Sequence, residues 1–409
     1  MIRRHFPLFL RIRMSSTVWL RPRKALPFFS RHPWVFEGAI GRVEGSPPPG
    51  AAVRLATAEG EFIAWGLYNP SSSIRVRLYS WEEEQPLTDE FWATQVTRAI
   101  RDRKRIFGDG PELRAGRVVS SEGDGLSGLT IDRYGDFLLV QWSSLALLQR
   151  EGVIASVLRE QLQPLGLWRR IDTSVASKEG LTATEELIAG QEPPDDLSVI
   201  EHGLSYRVDI RQGQKTGFYF DQRGNRLAVA QLCAGKRVLD VCCYSGGFGL
   251  TALARGQAAH VTAVDGSASA LELARGNAER NGLSDRIEFI KADAWSHLEQ
   301  ARDRGDRYDV IVLDPPKLAK SRGQIDAALR GYHGLNTLAL QLLEPGGLLA
   351  TCSCSGLVTR VDFEGALAEA ALSANRALRI IESRGAAPDH PISISCPESE
   401  YLKCVLCLA

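Results

Sequence analysis

Val238-Leu239-Asp240-Val241-Cys242-Cys243-Tyr244-Ser245-Gly246-Gly247-Phe248 begins as a β-strand and ends as the start of a helix. The segment up to Cys242 is apolar and β-prone, and it carries one acid, Asp240, near the strand end. Glycines placed just before a helix let the backbone approach a ligand closely. The turn is not the G-x-G-x-x-G dinucleotide fingerprint, because Gly246, Gly247 and Gly249 lie too close together. A glycine turn of this kind also occurs as plain strand-to-helix packing, so the stretch needs company before it means a ligand.

The company follows in order. Strands are predicted at Val261 to Val264, Ile287 to Lys291, Val310 to Leu313 and Leu348 to Ser353, with helical patterns at Gly249 to Arg255 and Ala268 to Asn281. That alternation predicts an α/β fold, a doubly wound, Rossmann-like, mostly parallel sheet whose ligand sits beyond the carboxyl ends of the strands. Asp265 ends the second strand, where an acid can accept the two ribose hydroxyls of a nucleoside. Asp293 follows the third, placed to take an adenine amine, and Asp314-Pro315-Pro316-Lys317 ends the fourth. Each acid alone reads as an ordinary strand-end cap. The ordered set reads as a nucleoside cofactor site.

Working outward, residues 17–84 alternate short β-type runs with turn signals and predict a small β-rich domain. In Ile74-Arg75-Val76-Arg77-Leu78-Tyr79 the alternation puts Arg75 and Arg77 on one sheet face. With Arg21, Arg23 and Lys24, and with Trp19, Phe28, Trp34 and Tyr79 interleaved, this face predicts RNA contact, although most of these aromatics read more readily as core. Residues 85–195 predict a middle α+β domain. It begins with a helix from Asp89 to Phe107, whose cation cluster Arg101, Arg103, Lys104 and Arg105 reads as a solvated helix end favoured by the macrodipole. A second helix is expected near Leu147 to Leu162, and Gln191 to Asp196 marks a linker to the α/β domain at 196–409.

The 409 residues exceed what one core usually organises, and no apolar run approaches the roughly 20 residues that cross a bilayer. Lys plus Arg number 49 and Asp plus Glu number 49, so nucleic-acid binding must rest on local basic surface, not on a global field. All eight cysteines lie between Cys233 and Cys407, which points to a reducing, cytoplasmic setting and not to a disulfide framework. Cys404 and Cys407 have C-x-x-C spacing without a second pair, so no metal is expected. The basic, acid-free start mimics a transit peptide, but Met14 is read as the start of translation, with 1–16 a disordered extension.

The order of acids is that of class I S-adenosylmethionine-dependent methyltransferases, and further motifs narrow the likeness. Arg31-His32-Pro33-Trp34-Val35-Phe36, Glu122-Gly123-Asp124-Gly125-Leu126, Ile131-Asp132-Arg133-Tyr134-Gly135, Lys215-Thr216-Gly217-Phe218-Tyr219-Phe220-Asp221-Gln222-Arg223, Arg330-Gly331-Tyr332, Ser353-Cys354-Ser355-Gly356 and Asp389-His390-Pro391 join the Asp314 motif. Together, from about Thr17 to the C-terminus, the chain resembles the ribosomal RNA large subunit methyltransferase I family, bacterial proteins that make 5-methylcytosine in 23S ribosomal RNA.

The resemblance implies an N-terminal PUA-like β-barrel that binds RNA, a middle domain that helps hold the substrate, and S-adenosyl-L-methionine as cofactor. It implies cofactor contacts at Gln222, Asp240, Tyr244, Ser245, Gly246, Gly247, Phe248, Asp265, Asp293 and Asp314, and substrate contacts at Lys215, Arg223, Lys317, Arg330, Tyr332, Arg75 and Arg77. A homodimer is compatible with it. Carbon 5 of cytosine is too weak a nucleophile to attack a sulfonium methyl unaided, and prior addition of a thiolate at carbon 6 divides the hard step. Cys354 matches the family's Ser-Cys-Ser and ends a strand, while Cys352, Cys396, Cys404 and Cys407 read as buried small hydrophobes. Asp314 is placed to hydrogen-bond the cytosine ring nitrogen or amine. Pro316 stands where many 5-methylcytosine enzymes carry a second cysteine, and Lys317 stands where an aromatic would suit an exocyclic-nitrogen enzyme such as a guanine N2 methyltransferase. That activity, and a non-catalytic RNA-binding assembly factor, are the alternatives.

Overall fold

The computed structural model describes residues 16–108, 110–211 and 217–409. Met14, the expected extension up to Arg13 and the site residue Lys215 lie outside them.

The first sheet contains β1 (Thr17–Leu20), β2 (Trp34–Phe36), β3 (Ile40–Val43), β4 (Ala52–Ala56), β5 (Phe62–Tyr68) and β6 (Ile74–Ser80), with one helical turn, α1 (Leu26–Phe29), after β1. Its order is β2-β6-β5-β4-β1-β3. Val18, Val35, Leu55, Ile63 and Val76 form its own core.

The second unit begins with α2 (Asp89–Phe107). It continues through β7 (Ala115–Ser120), β8 (Leu129–Tyr134), β9 (Phe137–Trp142), α3 (Leu145–Leu148), α4 (Glu151–Leu162), β10 (Gly166–Ile171), α5 (Thr173–Glu179) and β11 (Thr184–Gly190), with sheet order β11-β10-β9-β8-β7. Trp92, Val96, Ala99 and Ile100 recur at helical spacing and bury one face of α2. Where the sequence predicts one helix from Leu147, the chain makes two: Ser144 caps α3, and α4 restarts at Glu151. Both pieces keep apolar residues inward, so hydrophobic periodicity does not reveal the break. The edge strand β11 shows no alternation of buried and exposed residues and is silent in the sequence for that reason.

The third unit opens with a hairpin, β12 (Ser198–Glu201) and β13 (Leu204–Arg207), turned by His202 and Gly203, both at positive φ. Then come α6 (Arg223–Ala230), β14 (Arg237–Val241), α7 (Gly247–Ala254), β15 (His260–Asp265), α8 (Ala268–Arg280), β16 (Ile287–Lys291) and α9 (Ala294–Arg304). The chain ends with β17 (Tyr308–Leu313), α10 (Ile325–Leu342), β18 (Leu343–Ser353), α11 (Arg360–Ser373), β19 (Arg379–Arg384) and β20 (Lys403–Leu408). The sheet order is β16-β15-β14-β17-β18-β20-β19, with β20 antiparallel to both neighbours.

Alternation along each strand builds two cores. Val238, Val261, Ala263, Val310, Val312 and Leu348 join Leu250, Leu253 and Leu271 of α7 and α8 on one face. Leu239, Val241, Val264, Ile311, Leu313 and Leu349 join Leu298 of α9, Leu335 of α10 and Phe363 of α11 on the other. Each fully buried Val, Leu or Ile here contributes roughly 1.5–3 kcal/mol relative to exposure. The order reverses between β14 and β17, the neighbour on one side being β15, which makes the carboxyl end of β14 the crevice of the sheet.

The middle sheet does not stand apart. Tyr134, Phe137 and Leu139 belong to the same buried cluster as Val199, Tyr206, Phe218 and Phe220, and the Tyr134 and Phe220 ring centroids are 5.2 Å apart.

Candidate active site

The strand β14 runs out into a tight turn in which Cys242, Tyr244 and Gly246 all have positive φ, at 63°, 48° and 81°. Two non-glycine residues in this region mark stored backbone strain, and strain persists only where the surroundings over-determine it. Two acids hold the turn. Asp240 Oδ2 accepts from the Gly249 amide at 2.9 Å, and Asp265 Oδ2 accepts from the Tyr244 amide at 2.9 Å. A Cβ on Gly249 would lie 2.9 Å from Val261 Cγ1 and 3.2 Å from Asp240 Oδ2, so only glycine allows α7 to close on the strand here. Asp265 Oδ1 also accepts from the Ser267 amide, and Asp293 caps α9 through Ser296. Burial and then the charges of Asp265, Asp314, Asp240 and Asp293 push the Cys242 thiol up to about 12. Burial, with Asp314 and Asp265 adding, raises Asp240 to about 7 against the opposing Gly249 hydrogen bond.

The end of β17 is fixed to the same crevice. The Asp314 amide donates to the Val241 carbonyl at 3.3 Å, and its carboxylate accepts from Gln222 Nε2 at 3.0 Å. Gln222 is buried and in turn accepts from Asn225. Beside this turn, β18 ends at Ser353 and the chain continues directly into Cys354 and Ser355. Ser353 and Ser355 are fully buried, and Cys354 is partly exposed between them. Ser353 Oγ donates to Tyr332 Oη at 2.9 Å, and Tyr332 Oη lies 3.1 Å from Ser355 Oγ. Ser355 Oγ accepts from the amides of Leu318 and Ala319, just beyond the acid-Pro-Pro turn. The two serines thus tie the strand end inward, and Cys354 Sγ comes to rest 4.0 Å from the Pro315 carbonyl.

Cys354 and Lys317 line a cavity of about 350 Å³ together with Tyr219, His390 and three residues of the middle sheet, Arg117, Thr130 and Gln141. Its walls are held by paired charges. Arg117 makes a two-pronged pair with buried Asp132 at 2.8 and 2.9 Å, and Tyr401 donates to Asp221 at 2.6 Å. Asp389 is fully buried; burial opposes its ionisation, but His390, Arg223 and the Arg117 amide outweigh it and lower its pKa. Through that amide and through Arg103, which donates to the Asp389 carbonyl, the Asp389-His390 segment ties the middle domain to the α/β domain.

A family model described as an S-adenosylmethionine-dependent methyltransferase matches residues 179–400, and one described as a PUA-like domain matches residues 18–81. A curated protein of Aeromonas hydrophila named ribosomal RNA large subunit methyltransferase I is 42% identical over 396 residues, covering 95% of this chain and 98% of its own. The chain belongs to the ribosomal RNA large subunit methyltransferase I family. An Escherichia coli O139:H28 protein of the same name is 39% identical, covering 96% of this chain and 99% of its own. In fold, the chain is similar to SMU.776, solved in complex with SAH, with a TM-score of 0.82 and 22% identity over 96% of this chain and 99% of that one.

Like its family, the chain is an S-adenosylmethionine-dependent methyltransferase, and the crevice fits that cofactor. Its acids suit a cationic sulfonium and a ribose, and Asp240 Oδ1 is buried with no hydrogen-bond partner among the described residues. Asp265, Asp293, Asp314, Gln222 and Tyr244 are the residues that would hold it. Ser245 and Phe248 are buried, Ser245 accepting from Asn277 and Phe248 lying in the core, so both shape the turn from behind.

Among the expected substrate contacts, Lys317 reaches the cavity and Arg330 is exposed on α10. Three others are buried. Arg77 is buried against the middle domain, where it meets Glu179 at 3.2 Å and Glu122 at 3.7 Å, because alternation on β6 turned it toward a neighbouring domain instead of solvent. Arg223 is buried beside Glu201, which also binds Arg226 in two prongs. Tyr332 is fully buried and hydrogen-bonds the two serines that flank Cys354. Arg75 is engaged by Glu37 at 2.9 Å. Of the interleaved aromatics, Phe28 and Tyr79 are buried, and Trp34 donates to Glu122.

Lys403, a buried lysine behind Cys354, is not among the site residues expected from the sequence. The signal was present: one cation in the apolar run Leu402-Lys403-Cys404-Val405-Leu406-Cys407 is an anomaly, since lysine is almost never fully buried without a partner. His32, Cys396 and Glu398 lie close enough to hold an ion. However, His32 Nδ1 accepts from the Trp34 amide, which leaves Nε2 as the protonated nitrogen facing Glu398. That is a satisfied hydrogen-bond chain.

Proposed function

We propose that the protein methylates carbon 5 of a cytosine in large-subunit ribosomal RNA through a covalent adduct with Cys354. One observation carries this: Cys354 lines the cavity beside the acid-Pro-Pro turn while its neighbouring serines are tied inward. The names of the relatives support ribosomal RNA as the substrate. So does the first domain, where Arg21, Arg23 and Lys24 are exposed, as are Phe29 and Phe36, cations that suit phosphate and rings that suit unpaired bases.

A base inside a duplex cannot reach a thiol in such a cavity, so the target nucleotide enters extruded or from a single strand. The Cys354 thiolate bonds to carbon 6, and the electron pair of the 5,6 double bond moves toward carbon 5 while Asp314 hydrogen-bonds the ring nitrogen or amine. S-adenosylmethionine, when bound, supplies an electrophilic methyl group. Once carbon 5 carries it, the carbon 5 proton passes to water, its electron pair restores the 5,6 double bond, and the S–C6 bond breaks with its pair returning to sulfur as the thiolate. Holding these groups in register is where the fold contributes.

The test is Cys354→Ala on ribosomal RNA from a strain lacking the protein, read by mass spectrometry. Methylation is expected to fall below detection with S-adenosylhomocysteine binding intact. Retained methylation would overturn the adduct and favour an exocyclic nitrogen as acceptor. Failure to bind the cofactor at all would point to an RNA-binding assembly factor.

A further inference from the structure

We propose that Lys403 is the counter-charge that holds Cys354 as a thiolate, which rests on the reading of Cys354 as the nucleophile. Lys403 stands opposite Ser353 on β20, and its side chain runs under the strand end. Only 2% of it is exposed. Nζ donates to the carbonyl of Ser355 at 2.7 Å and to that of Tyr401 at 3.0 Å. An ammonium has three donors and a full charge, and two carbonyl dipoles do not neutralise it.

Among the described residues, two groups that can carry negative charge act on it, Cys354 and Glu400. Glu400 is the nearby carboxylate, and it is engaged by Arg360 at 2.9 Å. Arg360 and Lys317 are cations and make a second positive charge less favourable. Burial, the largest influence, lowers Lys403 to about 8; the charge of Cys354 opposes that fall most strongly, ahead of Glu400. Coupling of this kind is reciprocal: whatever a thiolate does to keep the lysine protonated, the ammonium does to keep the thiol ionised. When Cys354 ionises, its proton goes to solvent and the electron pair stays on sulfur, so charge within the protein pairs without a redox step. A thiol at its ordinary pKa is only a few per cent thiolate at neutral pH, and the ammonium raises that fraction before any RNA arrives.

The experiment is the pH dependence of Cys354 alkylation by iodoacetamide, resolved by mass spectrometry, in wild type, Lys403→Met and Lys403→Arg. In K403M the midpoint is expected to rise by about one pH unit, a roughly tenfold slower alkylation at pH 7, with K403R near wild type. A folded K403M with the wild-type profile overturns the proposal. Should K403M not fold, the reciprocal titration decides: by NMR, Lys403 is expected to lose its proton at lower pH in Cys354→Ala than in wild type, and an unchanged midpoint overturns it. Both readouts are independent of methylation. If C354A still methylates while K403M shifts the profile, the nucleophile assignment falls and the ion pair stands.

Discussion

Replacing Arg77 with Met separates a domain seam from an RNA contact. Arg77 Nη2 lies 3.2 Å from Glu179 and Nη1 donates to Ser127 Oγ at 2.9 Å, with Glu122 at 3.7 Å. Glu179 is itself fastened by Ser72 and Asn69 of the first domain, so it cannot turn to solvent when its cation goes. The side chains of Arg77 and Glu179 are 9% and 7% exposed, which places the pair in the regime where removing one partner strands a buried charge, at about 3–5 kcal/mol. For a unit of 150–250 residues that corresponds to a fall in Tm of roughly 6–20 °C. Urea and thermal unfolding of R77M measure it. Adding Glu179→Gln should recover a large part of the loss, because the stranded charge is then gone. RNA binding by the folded fraction should keep its salt dependence. A phosphate contact predicts the opposite: stability within about 0.5 kcal/mol of wild type, and a salt slope reduced by about 0.9. That pair of results would refute the seam.

Tyr332→Phe removes the hydroxyl that joins Ser353 to Ser355; a stability loss of about 1–2 kcal/mol is expected, with methylation roughly tenfold slower and S-adenosylhomocysteine affinity unchanged, measured by single-turnover assay and calorimetry. Burial holds Asp240 at about 7, above its value in the unfolded chain, so its neutral form favours folding at low pH and that contribution is lost as pH rises toward 7. Asp240→Asn keeps an acceptor for Gly249 without the charge. Its stability relative to wild type should therefore grow between about pH 4 and pH 7, by up to about 4 kcal/mol, in urea titrations across that range. A pH-independent difference would show that Asp240 is not held neutral.

The cofactor crevice was legible because its parts are local. Asp240, Asp265 and Asp314 each sit within a few residues of a strand end, and a parallel sheet brings strand ends together whatever else the chain does. Ser353-Cys354-Ser355 was legible as a motif, but why the serines flank the cysteine was not. Their partners, Tyr332 and the Leu318 and Ala319 amides, lie about 20 to 40 positions earlier in the chain. The cation cluster of α2 shows the same limit: Arg103 is buried against Asp124 while Arg101, Lys104 and Arg105 remain exposed.

Sequence alone therefore determined the alternating α/β order, the acids at the strand ends and the cysteine just past β18, since these follow from periodicity and from residues adjacent along the chain. Tertiary structure alone decided which charges face solvent. Arg77, Arg223 and Lys403 carry the same positive charge as Arg21 or Lys317, yet their side chains end beside Glu179, Glu201 and the Ser355 carbonyl. A cation's role is set by what desolvates it and what pairs with it, and both are supplied by segments distant in sequence.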